Sequence, residues 1–172
     1  VRFLNEILDG VDENECNFAI DYVFTWVNSA DEDWQKMYAQ YNPKVRTDAN
    51  SLSRFVSRDE LMYALRAIET YAPWVRRIHV VSNCKSPEWL NTTHDKINWV
   101  DHSEIFDAED LPTFSSHSIE ACIHKIPGLA NHFIYSNDDF ILCRPVDKTD
   151  FFEPNGNCKI KFGDSLKSIK KL

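Results

Sequence analysis

The 172-residue sequence predicts an α/β fold, a mainly parallel sheet with helices on both faces. Three observations carry that reading. Apolar runs of strand length, rich in β-branched and aromatic residues, recur at 20–27, 75–82, 96–101 and 132–136. Between them, segments beginning at Ser57 and near Ser116 repeat their apolar residues at helical spacing. Strands that alternate with helices build parallel sheets, because the chain must cross a face of the sheet to start the next strand in the same direction. The simplest organisation is an N-terminal helix and loop (1–19), one α/β core (20–157) and a basic tail (158–172). A chain this long buries roughly 70% of its unfolded surface, enough for a core of its own.

Each element has a local reason. Residues 1–18 are acidic and read as a short helix followed by a loop. "IDYVFTWV" (20–27) has the composition of a buried strand, and "NSADEDW" (28–34) ends it with turn chemistry. Residues 35–56 show no sustained period and read as a long excursion with room for one helical turn. Ser57-Arg58-Asp59-Glu60 has the form of a capping box, with Ser57 accepting an N–H three residues on and Glu60 reaching back. Leu61, Ala64, Leu65 and Ile68 then form a buried stripe until Ala72-Pro73 ends the helix. "VRRIHVVS" (75–82) is the second strand, Pro87 opens a short helical turn, "KINWVD" (96–101) is the third strand, and "EIFDAEDLP" is loop. Ile119, Cys122, Ile123 and Ile126 bury the second helix, which Pro127-Gly128 closes. "HFIYS" (132–136) delivers the chain to Asn137-Asp138-Asp139.

Composition excludes several classes. At 43% hydrophobic and 13% aromatic the chain is globular, not disordered. A formal charge of −8 argues against nucleic acid as a partner. No apolar run approaches the ~18–20 residues of a membrane span. The N-terminus lacks the features of an export signal, and five scattered cysteines without C-x-x-C fit a reducing compartment, so the expected location is cytoplasmic. The tail lysines (Lys159, Lys161, Lys167, Lys170, Lys171) form a solvated face or a peripheral contact with an anionic inner membrane.

The strand order has a functional consequence. In a parallel sheet all carboxyl ends share one rim, and ligands bind there. Asn28–Asp31, Ser82–Cys84, Asp101–His102 and Asn137–Asp139 would reach that rim, each polar and each following an apolar run. Adjacent Asp138 and Asp139 suit Mg²⁺ or Mn²⁺, which take oxygen ligands and share them with phosphates; the plainer alternative is a turn. On the second helix His117, Glu120 and His124 share a polar face, at a spacing that is not that of zinc proteases. Its N-terminus, after Thr113, Ser115 and Ser116, would offer free N–H groups to a phosphate. His124 reads as solvated. Arg54, Arg58, Asp59 and Glu60 gather at the start of the first helix; Arg54 suits a phosphate, whereas Glu60 has a capping role. Trp26 and Trp34 could stack on a base or sugar, or lie in the core.

"IDYVFTWVNSAD", "SRFVSRDELMYALRAIETYAPWVRRIHVVSN", "PEWLN" and "LPTFSSHSIEACIHKIPGLANHFIYSNDDF" resemble the first two conserved regions of the Stealth family, nearly colinearly over about 20–153. That family includes bacterial capsular-polysaccharide hexose-1-phosphate transferases and the precursor of the α/β subunit of the lysosomal N-acetylglucosamine-1-phosphotransferase. The resemblance implies a Rossmann-like sheet similar to nucleotide-sugar transferase (GT-A-like) cores. It implies transfer of a sugar 1-phosphate from a nucleotide-sugar donor to a carbohydrate acceptor hydroxyl, with metal on Asp138 and Asp139. Arg54, on the family's Arg-Phe motif, would steady phosphate oxygens. Thr25, Trp26 and Asn28 would line the nucleotide end, and Ser116, His117 and Glu120 the sugar phosphate or acceptor. Ser57 and Arg58 depart from the Asp-Asn usual before the first helix. Further family regions with His and Arg fall beyond Leu172, so the general base is His117 or one of those residues. A metal-dependent glycosyltransferase and a non-catalytic binding module are the rival readings.

Overall fold

The computed structural model describes residues 16–41 and 56–160. They fall into two compact units: Ala19–Pro145, and a smaller one in which residues 16–18 join residues 146–160. The larger unit holds four parallel strands, β1 (Ile20–Thr25), β2 (Ile78–Val81), β3 (Ile97–Val100) and β4 (His132–Asn137), in the order β3-β2-β1-β4. This is the α/β, Rossmann-like sheet expected.

Register decides which side chains meet. Val23 lies opposite His79 and Tyr135, and Thr25 opposite Val81 and Asn137. Val23, Val81 and Val100 therefore share one face with Phe133 and Tyr135, and Ile105, Ile119, Ile123 and Ile126 pack on them. That cover comes from α3 (Ser116–Cys122) and the 3₁₀ turns at His102–Glu104 and Ile123–Lys125. The right-handed crossover rule puts α2 (Glu60–Tyr71), between β1 and β2, on the opposite face. Of the expected stripe Leu61, Ala64 and Ile68 are buried, whereas Leu65 is half-buried and Ala67 takes its place in the core.

Three local expectations change. Residues 32–41, read as turn and loop, form a ten-residue helix, α1 (Glu32–Tyr41). Asp31 caps it, accepting from the N–H of Asp33 at 2.9 Å and of Trp34 at 3.1 Å. Trp34 and Tyr38, one turn apart, stack at 4.9 Å, and Phe114 meets both edge-on. The capping box at Ser57 does not form. Asp59 sits in the left-handed region (φ 62°), so the helix starts at Glu60, whose carboxylate accepts from the Arg58 N–H instead. "EIFDAEDLP" is not plain loop but contains parts of two 3₁₀ turns, His102–Glu104 and Ala108–Asp110.

At the amino end of the sheet Asp21 is fully buried. It accepts from Arg76 Nε and Nη2 (2.8 and 2.6 Å) and from the Ala130 N–H (2.8 Å), and its Oδ2 lies 3.0 Å from His79 Nε2. Asn98 Nδ2 closes the chain on His79 Nδ1 at 2.9 Å. Burial alone would raise the Asp21 carboxyl, but the Arg76, Ala130 and His79 hydrogen bonds outweigh it and hold it below its usual value. Burial lowers His79 and keeps it neutral against the pull of Asp21.

In the smaller unit Lys148 Nζ donates to the carbonyls of Cys16 and Phe18 (3.0 and 3.2 Å), and Phe152 bridges Cys158 antiparallel. Residues 1–15 and the tail lysines beyond Lys159 lie outside the described residues.

Candidate active site at the carboxyl rim of the sheet

The strand order reverses direction between β1 and β4. The chain steps from β1 outward to β2 and β3, then crosses back to β4 on the other side of β1. The crossovers that leave β1 and reach β4 run over opposite faces of the sheet, the arrangement beside which ligands bind in open α/β sheets. Thr25 ends β1 and Asn137 ends β4, side by side in register, and Asp138-Asp139 follow directly.

Asp138 and Asp139 occupy the middle of a turn closed by the Phe140 N–H on the Asn137 carbonyl at 3.1 Å. The turn reading is therefore realised, although Ile141–Asp147 has no regular structure and no hairpin follows. It is not an ordinary surface turn. Asp138 is half-buried, and its carboxyl is pushed up to about 6: burial is the main cause, and the charges of Asp139 and Glu60 add to it. Glu60, on the first turn of α2, thus faces the pair from another element. Asp59 beside it accepts from Trp89 Nε1 at 3.3 Å.

Tyr135 gathers the other side. Its hydroxyl lies 3.2 Å from Thr25 Oγ1, and it is within donating distance of Glu120 Oε1 (3.2 Å) and Asn137 Oδ1 (3.0 Å). Burial raises the phenol and the Thr25 bond opposes it, but the negative charges of Glu120 and Asp138 leave it above its usual value, a neutral donor. A cleft of about 390 Å³ continues the rim past β1 and β2, lined by Asn28, Asp31, Asp33, Lys85, Ser86 and Pro87 among others.

The structure brings Thr25, Glu60, Glu120, Asn137, Asp138 and Asp139 to the β1–β4 side of the rim. Asn28 is at the cleft, where its Oδ1 accepts from the Ala30 N–H at 2.9 Å to hold the turn. Ser116 and His117 are exposed on the first turn of α3, and His124 is exposed beyond its α-helical part. Ser115 caps α3 and takes the Ser118 N–H at 3.4 Å, so one of the N–H groups expected for a phosphate is already engaged. Trp26 is a correction: at 6% exposed and edge-on to Trp99, it has no face left for a base. Trp34, at 2% exposed, is likewise core. Arg54 lies outside the described residues.

Two residues were not foreseen. Trp89 is 37% exposed with its N–H tied to Asp59, an accessible indole that Trp26 does not offer. Tyr135 sits in an apolar strand and reads there as core; only register reveals what its hydroxyl meets. Two buried rim nitrogens, Trp26 Nε1 and His102 Nδ1, have no hydrogen-bond partner among the described residues.

Asp138 and Asp139 are adjacent oxygen donors at the rim. Among the described residues no three His, Cys, Asp or Glu side chains gather around one point. Mg²⁺ needs only one or two protein carboxylates when phosphates complete its shell, and a carboxyl raised by like charges is one that a cation relieves.

Comparison with known proteins identifies the family. The chain is 51% identical over 161 residues to the capsular polysaccharide phosphotransferase SacB of Neisseria meningitidis serogroup A, covering 94% of this chain and 30% of that protein. It is 45% identical over 166 residues to the exopolysaccharide phosphotransferase SCO6023 of Streptomyces coelicolor, covering 96% of this chain and 28% of that one. It is 48% identical over 151 residues to the capsular polysaccharide phosphotransferase LcbA of Aeromonas hydrophila, covering 84% and 42%. The chain thus spans less than a third of the length of the first two of these relatives. Residues 54–160, from Arg54 through the Asp pair, match the model of Stealth protein conserved region 2, and the chain belongs to the Stealth family.

Proposed function

We propose that this chain supplies the donor-binding sheet of a hexose-1-phosphate transferase of capsular or exopolysaccharide synthesis. The observation that carries the reading is the Asp138-Asp139 pair at the switch point of the sheet, with Asp138 raised to about 6 by burial and by neighbouring carboxylates. The names of the relatives supply the reaction class, phosphotransfer in polysaccharide synthesis.

The acceptor hydroxyl attacks the sugar-bearing phosphorus of a nucleotide sugar. A new P–O bond forms to the acceptor, the bond to the bridging oxygen breaks, and nucleoside monophosphate leaves. Such a step needs in-line positioning and stabilised phosphate charge more than covalent help. Asp138 and Asp139 would hold Mg²⁺ or Mn²⁺, which supplies positive charge to the diphosphate. Thr25 and Asn137 present polar groups to the donor from facing strand ends, and Glu120 with Ser116 lines the sugar or acceptor side. Arg54 is assigned to phosphate oxygens. His117, exposed on α3, is this chain's candidate to take the acceptor proton. The cytoplasmic face of the inner membrane, reached through the basic tail, is the location that suits the reaction.

The test incubates the full chain with UDP-N-acetylglucosamine and CDP-activated donors, with Mg²⁺ or EDTA, and titrates the same donors calorimetrically. Metal-dependent binding and nucleoside monophosphate are expected, both lost in Asp138→Ala/Asp139→Ala. Nucleoside diphosphate would mean glycosyl transfer instead. A folded wild type that binds none of these donors with metal overturns the reading.

A further inference from the structure

Tyr135 Oη joins three elements at the rim. Thr25 belongs to β1, Asn137 to β4 and Glu120 to α3, and all three place an oxygen within 3.2 Å of it. A phenol has one proton and lone pairs to accept with. Thr25, whose O–H turns freely, can donate to it. The Tyr135 proton then serves either Glu120 Oε1 or Asn137 Oδ1, and never both fully. The ring is half-buried against the Val23–Val81–Ile119 core, so the hydroxyl cannot swing away.

We propose that Tyr135 is a positioning residue of the transfer reaction, its hydroxyl fixing Glu120 and Asn137 relative to each other and to Asp138. The proposal rests on the phosphosugar-transfer reading. Glu120 is exposed on a seven-residue helix, and a glutamate has three side-chain torsions; among the described residues the Tyr135 hydroxyl is the hydrogen-bond partner its carboxylate has. Asn137 is exposed and, through its side chain, likewise bonded to Tyr135. Removing the hydroxyl leaves the core ring in place and releases both.

The experiment compares wild type, Tyr135→Phe, Glu120→Gln and the double variant of the full chain. Tyr135→Phe is expected to melt within a few degrees of wild type and to lose about 10- to 100-fold in kcat, the scale of a misplacement of roughly 1 Å, with a smaller rise in donor KM from the freed Asn137. The double variant is expected to lose clearly less than the product of the two single losses, because part of the hydroxyl's effect runs through that carboxylate. Full turnover by Tyr135→Phe, or losses that multiply, overturns the proposal. Amide hydrogen exchange is read in parallel and needs no substrate. Faster exchange confined to 116–122 and 137–140 in Tyr135→Phe is expected; exchange identical to wild type overturns the proposal. If the wild type transfers nothing, the function reading has failed, and the exchange result alone decides whether Tyr135 ties these elements.

Discussion

Asp138 is half-buried next to two other carboxylates, so its ionised form is disfavoured in the folded protein. A pKa near 6 against an ordinary 3.8 amounts to up to about 3 kcal/mol of instability at pH 8, at roughly 1.4 kcal/mol for each pH unit. Asp138→Asn removes the charge at nearly constant shape. The variant is expected to be about 1–3 kcal/mol more stable than wild type in urea at pH 8 without metal. Adding Mg²⁺ should raise the melting temperature of the wild type and leave Asp138→Asn unmoved. A variant less stable than wild type, or one that still responds to Mg²⁺, would show that Asp138 is an ordinary turn residue. Trp26 and Trp89 make a complementary point. Both are tryptophans near the rim, yet one fills the core and the other stands 37% exposed on Asp59.

At the scale of elements, α1 shows what packing adds to propensity. Its mean composition is polar, and its folding depends on Trp34 and Tyr38 stacking one turn apart beneath Phe114. Trp34→Ala is expected to destabilise the protein by about 3–5 kcal/mol in denaturant melts, the cost of emptying a large aromatic site. A loss under 1 kcal/mol would mean that α1 is held by its Asp31 cap alone. The four strands, α2 and α3 are legible in the sequence because each buries a stripe or run continuous along the chain. So is the rim, since polar residues after apolar runs mark strand ends. α1 escaped because only Trp34 and Tyr38 anchor it in an otherwise mostly polar segment and its third partner, Phe114, is distant in sequence. The capping box misled because nothing local reveals that Asp59 turns left-handed. Tyr135 escaped for a different reason: within "HFIYS" an aromatic satisfies the strand pattern completely, and only the pairing with Thr25 and the arrival of Glu120 give its hydroxyl a role.

Across the whole molecule the two ends of the sheet hold charge in opposite ways. At the amino end Asp21 is saturated by Arg76, Ala130 and His79; at the carboxyl end burial and the charges of Asp139 and Glu60 outweigh the backbone hydrogen bonds that Asp138 accepts. Acid should therefore act on them with opposite sign. His79 is lowered from 6.5, so the unfolded chain takes that proton first and stability falls as pH drops below 6.5. Asp21 is lowered from 3.8, so its contribution holds above that value and is lost as pH falls through its folded pKa. Asp138 is raised, so the folded protein takes its proton first and stability rises as pH falls from about 6 to 3.8. Between those limits the loss at His79 and the gain at Asp138 oppose each other, so the wild-type profile should fall less steeply than His79 alone would make it. Asp138→Asn keeps only the losses, so its stability should decline steadily over the same range, and its advantage over wild type at pH 8 should vanish near pH 4. Urea melts of the two proteins from pH 3.5 to 8 read this directly. Parallel profiles would mean that the rim carboxylates exchange protons like exposed ones, and the electrostatic case for a cation at Asp138 would fall with them.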